Sequence, residues 1–191
     1  NKGIKSKSKN MSTLKNDYIS EIKSNTAINV NRCYQCGKCS AGCAVNEEMD
    51  YPPSVVMRML QTNSEEDFNE ILHSQSIWLC VSCENCLTRC PMQIDIPKLM
   101  DYLREQAIEK NTVNKKSKNI LSFHSSFVDS IRLTGRLYEI GLVAEYKMKT
   151  LNLLQDMKIA PGMFMKGKLP LLPEIVKNRK QISTIFSQTK K

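Results

Sequence analysis

The sequence predicts an all-α protein: a helical domain bearing every cysteine, followed by a helical C-terminal extension. Three observations predict it. The 36 residues between two cysteine quartets, 44–79, place apolar residues at helical spacing with no alternating strand pattern. Each quartet is followed by a segment that prolines open and an apolar stripe continues, at 50–60 and at 95–107. Beyond residue 111 apolar residues again recur at helical spacing, and Gly and Pro number only seven each, so helix formers dominate.

Residues 1–16 carry five lysines, no acid and no apolar period, which predicts a mobile basic tail. Met11 is a candidate start within it. Tyr18, Ile19, Ile22 and Ile28 give only a weak helical or extended approach to the first quartet. Asp50 is a candidate cap for a helix opened by Pro52 and Pro53 and carried by Val55, Val56, Met59 and Leu60. Ser64 to Asp67 resembles a capping box, and Phe68, Ile71 and Leu72 put a stripe on a helix ending near His73. A histidine at a helix end reads most simply as solvent-facing. After the second quartet, Asp95, Ile96 and Pro97 open a helix that buries Leu99, Leu103 and Ala107. The repeat of quartet and helix, 47 residues apart at the cysteines, predicts an internal duplication with pseudo-twofold symmetry.

Residues 111–119 read as a linker, so the domain spans 17–111 and the extension 112–191. In the extension Ile120, Phe123, Phe127 and Ile131 form one stripe, Gly135 interrupts, and Leu137, Ile140, Ala144, Met148 and Leu151 form another. His124 lies in the first stripe's helix with no role that the sequence assigns. Pro161, Gly162, Gly167, Pro170 and Pro173 mark an irregular stretch before a last helix with Ile175, Ile182, Ile185 and Phe186. These stripes are too short to enclose themselves, which predicts docking on a partner, with packing against the chain's own cluster domain as the alternative.

The net charge is +9, unevenly placed: residues 17–111 carry eight basic and fourteen acidic side chains, and residues 112–191 fifteen basic and five acidic. Basic flanks around an acidic domain predict contact with an acidic surface. Nucleic acid is disfavoured, because no stacking aromatic motif or nucleic-acid fold signature accompanies the charge. No apolar run approaches the length needed to span a bilayer, which predicts a soluble, cytoplasmic protein. A substrate site is also disfavoured, since no serine, histidine and carboxylate set, phosphate-cradling glycine loop or dinucleotide fingerprint occurs.

The chemistry lies in the quartets, Cys33, Cys36, Cys39, Cys43 and Cys80, Cys83, Cys86, Cys90, both spaced C-x2-C-x2-C-x3-C and together using all eight cysteines. Three thiolates three residues apart let one loop wrap three corners of a four-iron, four-sulfur cubane, and the fourth iron takes a more distant ligand. In two-cluster ferredoxins that ligand comes from the other run. The same connectivity assigns Cys33, Cys36, Cys39 and Cys90 to one [4Fe-4S] cluster and Cys80, Cys83, Cys86 and Cys43 to a second. Two tetrahedral zinc sites are the alternative, although zinc sites usually set two pairs on separated loops. A disulfide framework is a further one, disfavoured by the lack of an apolar signal core. Gly37 and Gly42 are expected to free the backbone so that its amides turn toward sulfur, and Trp78 is expected as a lid on a cluster or as plain core. Glu84 inside the second quartet is expected to lower that cluster's potential relative to the loop bearing Lys38.

The run from Cys80 to Pro91, CVSCENCLTRCP, resembles the helical ferredoxin domain of respiratory oxidoreductases. With PPSVVMRML at 52–60, GRLYE at 135–139 and the stretch 163–170, the chain resembles the C subunit of soluble heterodisulfide reductase from methanogenic archaea. That resemblance implies a non-catalytic iron–sulfur subunit of an oxidoreductase. It would carry electrons from a flavin-containing A subunit to a catalytic B subunit, which reduces the heterodisulfide of coenzyme M and coenzyme B. The resemblance also implies a wider assembly with hydrogenase or formate dehydrogenase. A free-standing diffusible ferredoxin is the alternative, for which the last 80 residues would be superfluous.

Overall fold

The computed structural model describes residues 17–151, 162, 165, 166 and 176–189, in a chain that divides into two units, Asn1–Val113 and Asn114–Lys191. The tail expected at 1–16 and most of the irregular stretch expected at 161–173 lie outside the described residues, as does Ile175. Every regular element among the described residues is helical, in keeping with the all-α expectation.

The first unit contains α1 (Tyr18–Thr26), α2 (Lys38–Ala41), α3 (Pro53–Gln61), α4 (Glu65–His73), α5 (Ser76–Leu79), α6 (Asn85–Thr88) and α7 (Ile96–Glu109). Asp17 caps α1 by accepting from the Ser20 N–H at 3.2 Å, and Ala27, at φ 62°, ends it in the left-handed region. The buried face of α1 is Tyr18, Ile22 and Thr26, with the Tyr18 ring stacked 4.3 Å from that of Phe68. So the weak apolar signal before the first quartet is a full helix packed on α3 and α7.

Helices α3 and α7 are the two halves' equivalent supports. Pro53 stands at a first-turn position of α3, where a missing N–H costs no bond, and Asp95 caps α7 through the Lys98 N–H at 3.0 Å. Residues 43 apart take the same places on them: Val56 and Leu99, Met57 and Met100, Leu60 and Leu103 are at most 2 % exposed. Each such side chain contributes about 1.5–3 kcal/mol through removal from water. Helix α4 lays Phe68, Ile71 and Leu72 on the same core, and its last residue, His73, is solvent-exposed.

One expected cap forms elsewhere, and one lacks its side-chain bond. Asp50 does not cap α3; its carboxylate accepts from the Gln75 and Ser76 N–H groups at 2.7 and 2.8 Å and from the Ser76 hydroxyl, so it caps α5 across 25 residues. Burial opposes ionisation there, yet the bonds from Ser76, Gln75 and Tyr51 hold this carboxyl below its ordinary range. Ser64 stands at the N-cap of α4 as expected but makes no side-chain bond there, and Asp67 is engaged by the Thr62 hydroxyl at 2.5 Å.

The second unit contains α8 (Lys118–Thr134), α9 (Glu139–Thr150) and α10 (Arg179–Thr189). The linker expected to 119 is shorter, because a 3-10 turn at Lys115–Ser117 already leads into α8. Gly135 ends α8 at φ 86°, and a Cβ there would lie 2.9 Å from Cβ of Val176, so glycine is required twice over. The buried positions of α8 are Ser126 and Ser130, and the Ser130 hydroxyl accepts from the Tyr138 N–H at 3.0 Å. Apolar side chains remain open: Phe123 is 44 % exposed and Met148 70 %. His124 is likewise exposed.

Truncating Leu103 to alanine is expected to lower unfolding stability by about 2–5 kcal/mol, and Asp50→Ala by about 1–3 kcal/mol. Denaturant titration followed by helical circular dichroism checks both; a change under about 0.5 kcal/mol in Leu103→Ala would contradict the packing described.

Candidate metal centre

The two cysteine loops share one local conformation at an offset of 47 residues. Cys33 follows a 3-10 turn, Val30–Arg32, and Cys80 follows α5. Two residues on, the backbone turns left-handed at Gln35 (φ 61°) and Ser82 (φ 51°), and again at Gly37 (φ 75°) and Glu84 (φ 61°). A four-residue helix follows in each, α2 and α6, carrying Cys39 and Cys86. The last cysteines are set by matching bonds, Cys43 N–H to Ser40 O and Cys90 N–H to Leu87 O, both 3.1 Å. The duplication expected from the sequence is thus a repeat of backbone shape, residue for residue. From quartet to supporting helix, however, the second half is four residues shorter, since the helices repeat at 43.

The thiols converge on two small cavities of equal volume, about 20 Å³ each, as a duplicated site requires. Cys33, Cys36, Cys39 and Cys90 line the first, with Met57 beneath. Cys43, Cys80, Cys83 and Cys86 line the second, with Met100 in the matching place. Ile96, 3 % exposed, lines both. Each cavity therefore takes three cysteines from one loop and the last cysteine of the other. In each loop the second cysteine, Cys36 or Cys83, is exposed and the other three are half-buried. Trp78, 4 % exposed, lines neither cavity and belongs to the core.

Side chains of the supporting helices hold the loops. Gln61 of α3 donates to the carbonyls of Val30 and Cys33 at 3.0 and 2.7 Å. Arg104 of α7 donates to those of Ile77, at 2.5 Å, and Cys80. Ser40, between two cysteines, accepts from the Ser54 N–H at 2.9 Å and ties α2 to α3. None of these four residues carried a signal in the sequence, because Gln, Arg and Ser on amphipathic helices read as solvent-facing. The two glycines differ. Gly37 does need its left-handed φ, but Gly42 sits at φ −104°, open to any residue; what it provides is space, since a Cβ there would lie 2.7 Å from the Arg89 side chain.

The donor set suits iron–sulfur clusters. All eight thiols are free, and among the described residues no three Cys, His, Asp or Glu side chains close on one point as a single ion demands. They ring a volume instead. Burial, then the charge of Cys80, pushes the Cys86 thiol up to about 11, and burial raises Cys39. Thiols that resist ionising alone become thiolates when iron supplies the opposing charge.

Comparison with known proteins agrees with this chemistry. Residues 29–94 match the family described as a 4Fe-4S dicluster domain, a segment that contains every cysteine. The iron–sulfur C subunit of CoB–CoM heterodisulfide reductase from Methanopyrus kandleri is 26 % identical over 113 residues, 59 % of this chain and 57 % of that one. The second such C subunit from Methanocaldococcus jannaschii is 25 % identical over 58 % of each chain. The C subunit of ferredoxin:CoB–CoM heterodisulfide reductase from Methanosarcina acetivorans is 30 % identical over 47 % of this chain and 34 % of its own. The chain spans little more than half the length of the first two relatives and about a third of the last.

Backbone strain distinguishes the loops. Where the first has Gly37, the second holds Glu84 at φ 61°, a conformation that costs a side-chain-bearing residue about 1–2 kcal/mol. Glu84→Gly removes that strain and adds unfolded-state freedom worth about 0.5–1 kcal/mol, so a net stabilisation of about 0–1.5 kcal/mol is expected by denaturant titration. A loss above about 1 kcal/mol would show that the Glu84 side chain has a structural partner.

Proposed function

We propose that this chain, whose residues 29–94 are a 4Fe-4S dicluster domain with two [4Fe-4S] clusters as its cofactors, is an electron relay in a reductase assembly of the heterodisulfide reductase kind. In this reading Cys33, Cys36, Cys39 and Cys90 ligate one cluster, and Cys80, Cys83, Cys86 and Cys43 the other. The observation that carries it is the make-up of the two cavities, each ringed by four thiols drawn from both loops.

Each cluster, when bound, supplies a one-electron couple. The chain's own residues anchor, shield and space these couples. Eight thiols anchor them, while Met57 and Met100 form the apolar floors that keep water from their inner sides. Ile96 forms a wall common to both cavities and would separate the two clusters when bound. Gln61 and Arg104 fix the first cysteine of each loop through its carbonyl. No residue of the chain is assigned a catalytic role or a substrate.

The partners proposed are a flavin-containing A subunit, the donor, and a catalytic B subunit, the acceptor. Reduction of the coenzyme M–coenzyme B heterodisulfide takes place on the acceptor, in the cytoplasm. What supports an assembly of this kind is that the relatives are named as C subunits of heterodisulfide reductases, two of them coupled to hydrogen or to hydrogen and formate. Among the described residues no helix is long and apolar enough to cross a membrane. The second unit is proposed to dock on a partner, supported by the exposure of Phe123, Phe127 and Met148 and by the basic excess of residues 112–191.

Anaerobically purified chain is expected to hold about eight irons and as many sulfides. Serine in place of Cys90 should perturb the same paramagnetic resonance signal as Cys36→Ser; should it follow Cys83→Ser instead, ligation is confined to each half and the crossed assignment fails. Two zincs and no iron would end the relay reading. If native gel filtration finds the protein alone, and removal of residues 112–191 leaves electron delivery intact, it is a free-standing carrier and not part of a larger enzyme.

A further inference from the structure

We infer that Arg104 makes the cluster of the Cys80 cavity the more readily reduced of the two, so that one electron shared between them rests preferentially on that side. The inference deepens the two-cluster reading and rests on it. Its basis is a difference at an otherwise repeated position. The carbonyls of Val30 and Cys33 recur, 47 residues on, as those of Ile77 and Cys80, and each pair is held by one side chain from the supporting helix. Those side chains, at 61 and 104, repeat at the 43-residue offset of α3 and α7. The device is therefore the same in both halves; the charge is not. Gln61 is neutral, and Arg104 is a permanent cation fastened to the backbone of a ligand residue.

Reduction adds one negative charge to a cluster, and a fixed cation beside it favours that form. The electron leaves one cubane, which is oxidised, and enters the other, which is reduced, with no proton needed. The opposing cation is Lys38, which lines the Cys33 cavity but is exposed and shares its field with water, where Arg104 does not. Arg104 is only 15 % exposed in its side chain, whereas its ion-pair partner Asp101, at 2.7 Å from Nη1, is 62 % exposed and shares its field with water. Arg58 holds the place of Asp101 on α3 and is exposed, as are Lys38, Glu84 and Arg89 within the loops. An exposed Glu84 is thus expected to lower the potential of its cluster by less than Arg104 raises it. Arg104 acts as a positioning residue for the Cys80 loop and, through its charge, on the potential.

The test is an anaerobic redox titration of the full-length, cluster-loaded chain, followed by electron paramagnetic resonance. Cys36→Ser and Cys83→Ser identify the signal of each cavity. Arg104→Gln copies the first half into the second and is expected to lower the potential on the Cys83 side alone. The electron's partition between the clusters should move about tenfold, equivalent to about 59 mV for one electron. Asp101→Asn, an exposed change that leaves the loop's hydrogen bonds in place, should raise the same potential. Arg104→Lys should retain most of the wild-type value, because the charge stays while the two-carbonyl fork is lost. The inference is overturned if Arg104→Gln and Asp101→Asn leave both potentials unmoved, or if Arg104→Lys falls as far as Arg104→Gln, which would make loop geometry the cause. Should Arg104→Gln fail to fold, the direction of the Asp101→Asn shift decides. A wild-type chain without iron would defeat the ligation reading itself, and is seen before any potential is measured.

Discussion

Each of the two cavities is closed by a thiol from the other half of the chain: Cys90 stands in the wall of the Cys33 cavity and Cys43 in that of the Cys80 cavity. Neither half is complete alone. Most features of the first unit follow from this constraint. The two loops must face each other, so α2 packs on α6, and the supporting helices α3 and α7 must each reach under a loop while sharing one apolar core. Half-buried thiols that resist ionisation place part of the domain's stability in whatever compensating charge they enclose, which couples folding to metal binding.

The legible parts of the sequence were those with short-range periodicity. Cysteine spacing announced the centre, and the stripes of α3, α4 and α7 announced the core, because spacing of three and four residues maps directly onto a helix face. Helix α1 was faint, since only Tyr18 and Ile22 among its apolar residues are buried and the rest of its turns are polar. Long-range polar contacts were illegible. Nothing adjacent to Asp50 predicts that it caps a helix 25 residues on, and Gln61 and Arg104 look like any solvated helix positions until the carbonyls they hold are seen. The repeat also hid them, because its offset changes from 47 in the loops to 43 in the helices. In α8 small serines, which carried no signal, are buried where two helices meet, while Phe123 and Phe127 of the stripe stay open.

Part of the chain's left-handed backbone lies within the cysteine loops, and part at helix ends and turns such as Ala27 and Asn111. Gln35, Ser82 and Glu84 hold left-handed backbone within the cysteine loops, a conformation that persists only where surroundings over-determine it. The hydrogen bonds from α3 and α7 to the loop carbonyls are part of that determination. Divergence between the duplicated halves is concentrated in polar detail, Gly37 against Glu84 and Gln61 against Arg104, while the apolar triads of the two helices remain interchangeable in kind. A symmetric architecture has been kept and made electrically unequal.

Ile96 is the partition common to both cavities, and it is fixed at the first turn of α7 by the Asp95 cap and the adjacent Pro97. With clusters bound in the two cavities, a shared wall anchored to α7 would hold their spacing independently of the surface. On the proposed docking, a partner would then reach only the outer faces, beside the exposed Cys36 and Cys83, and leave the inner wall untouched.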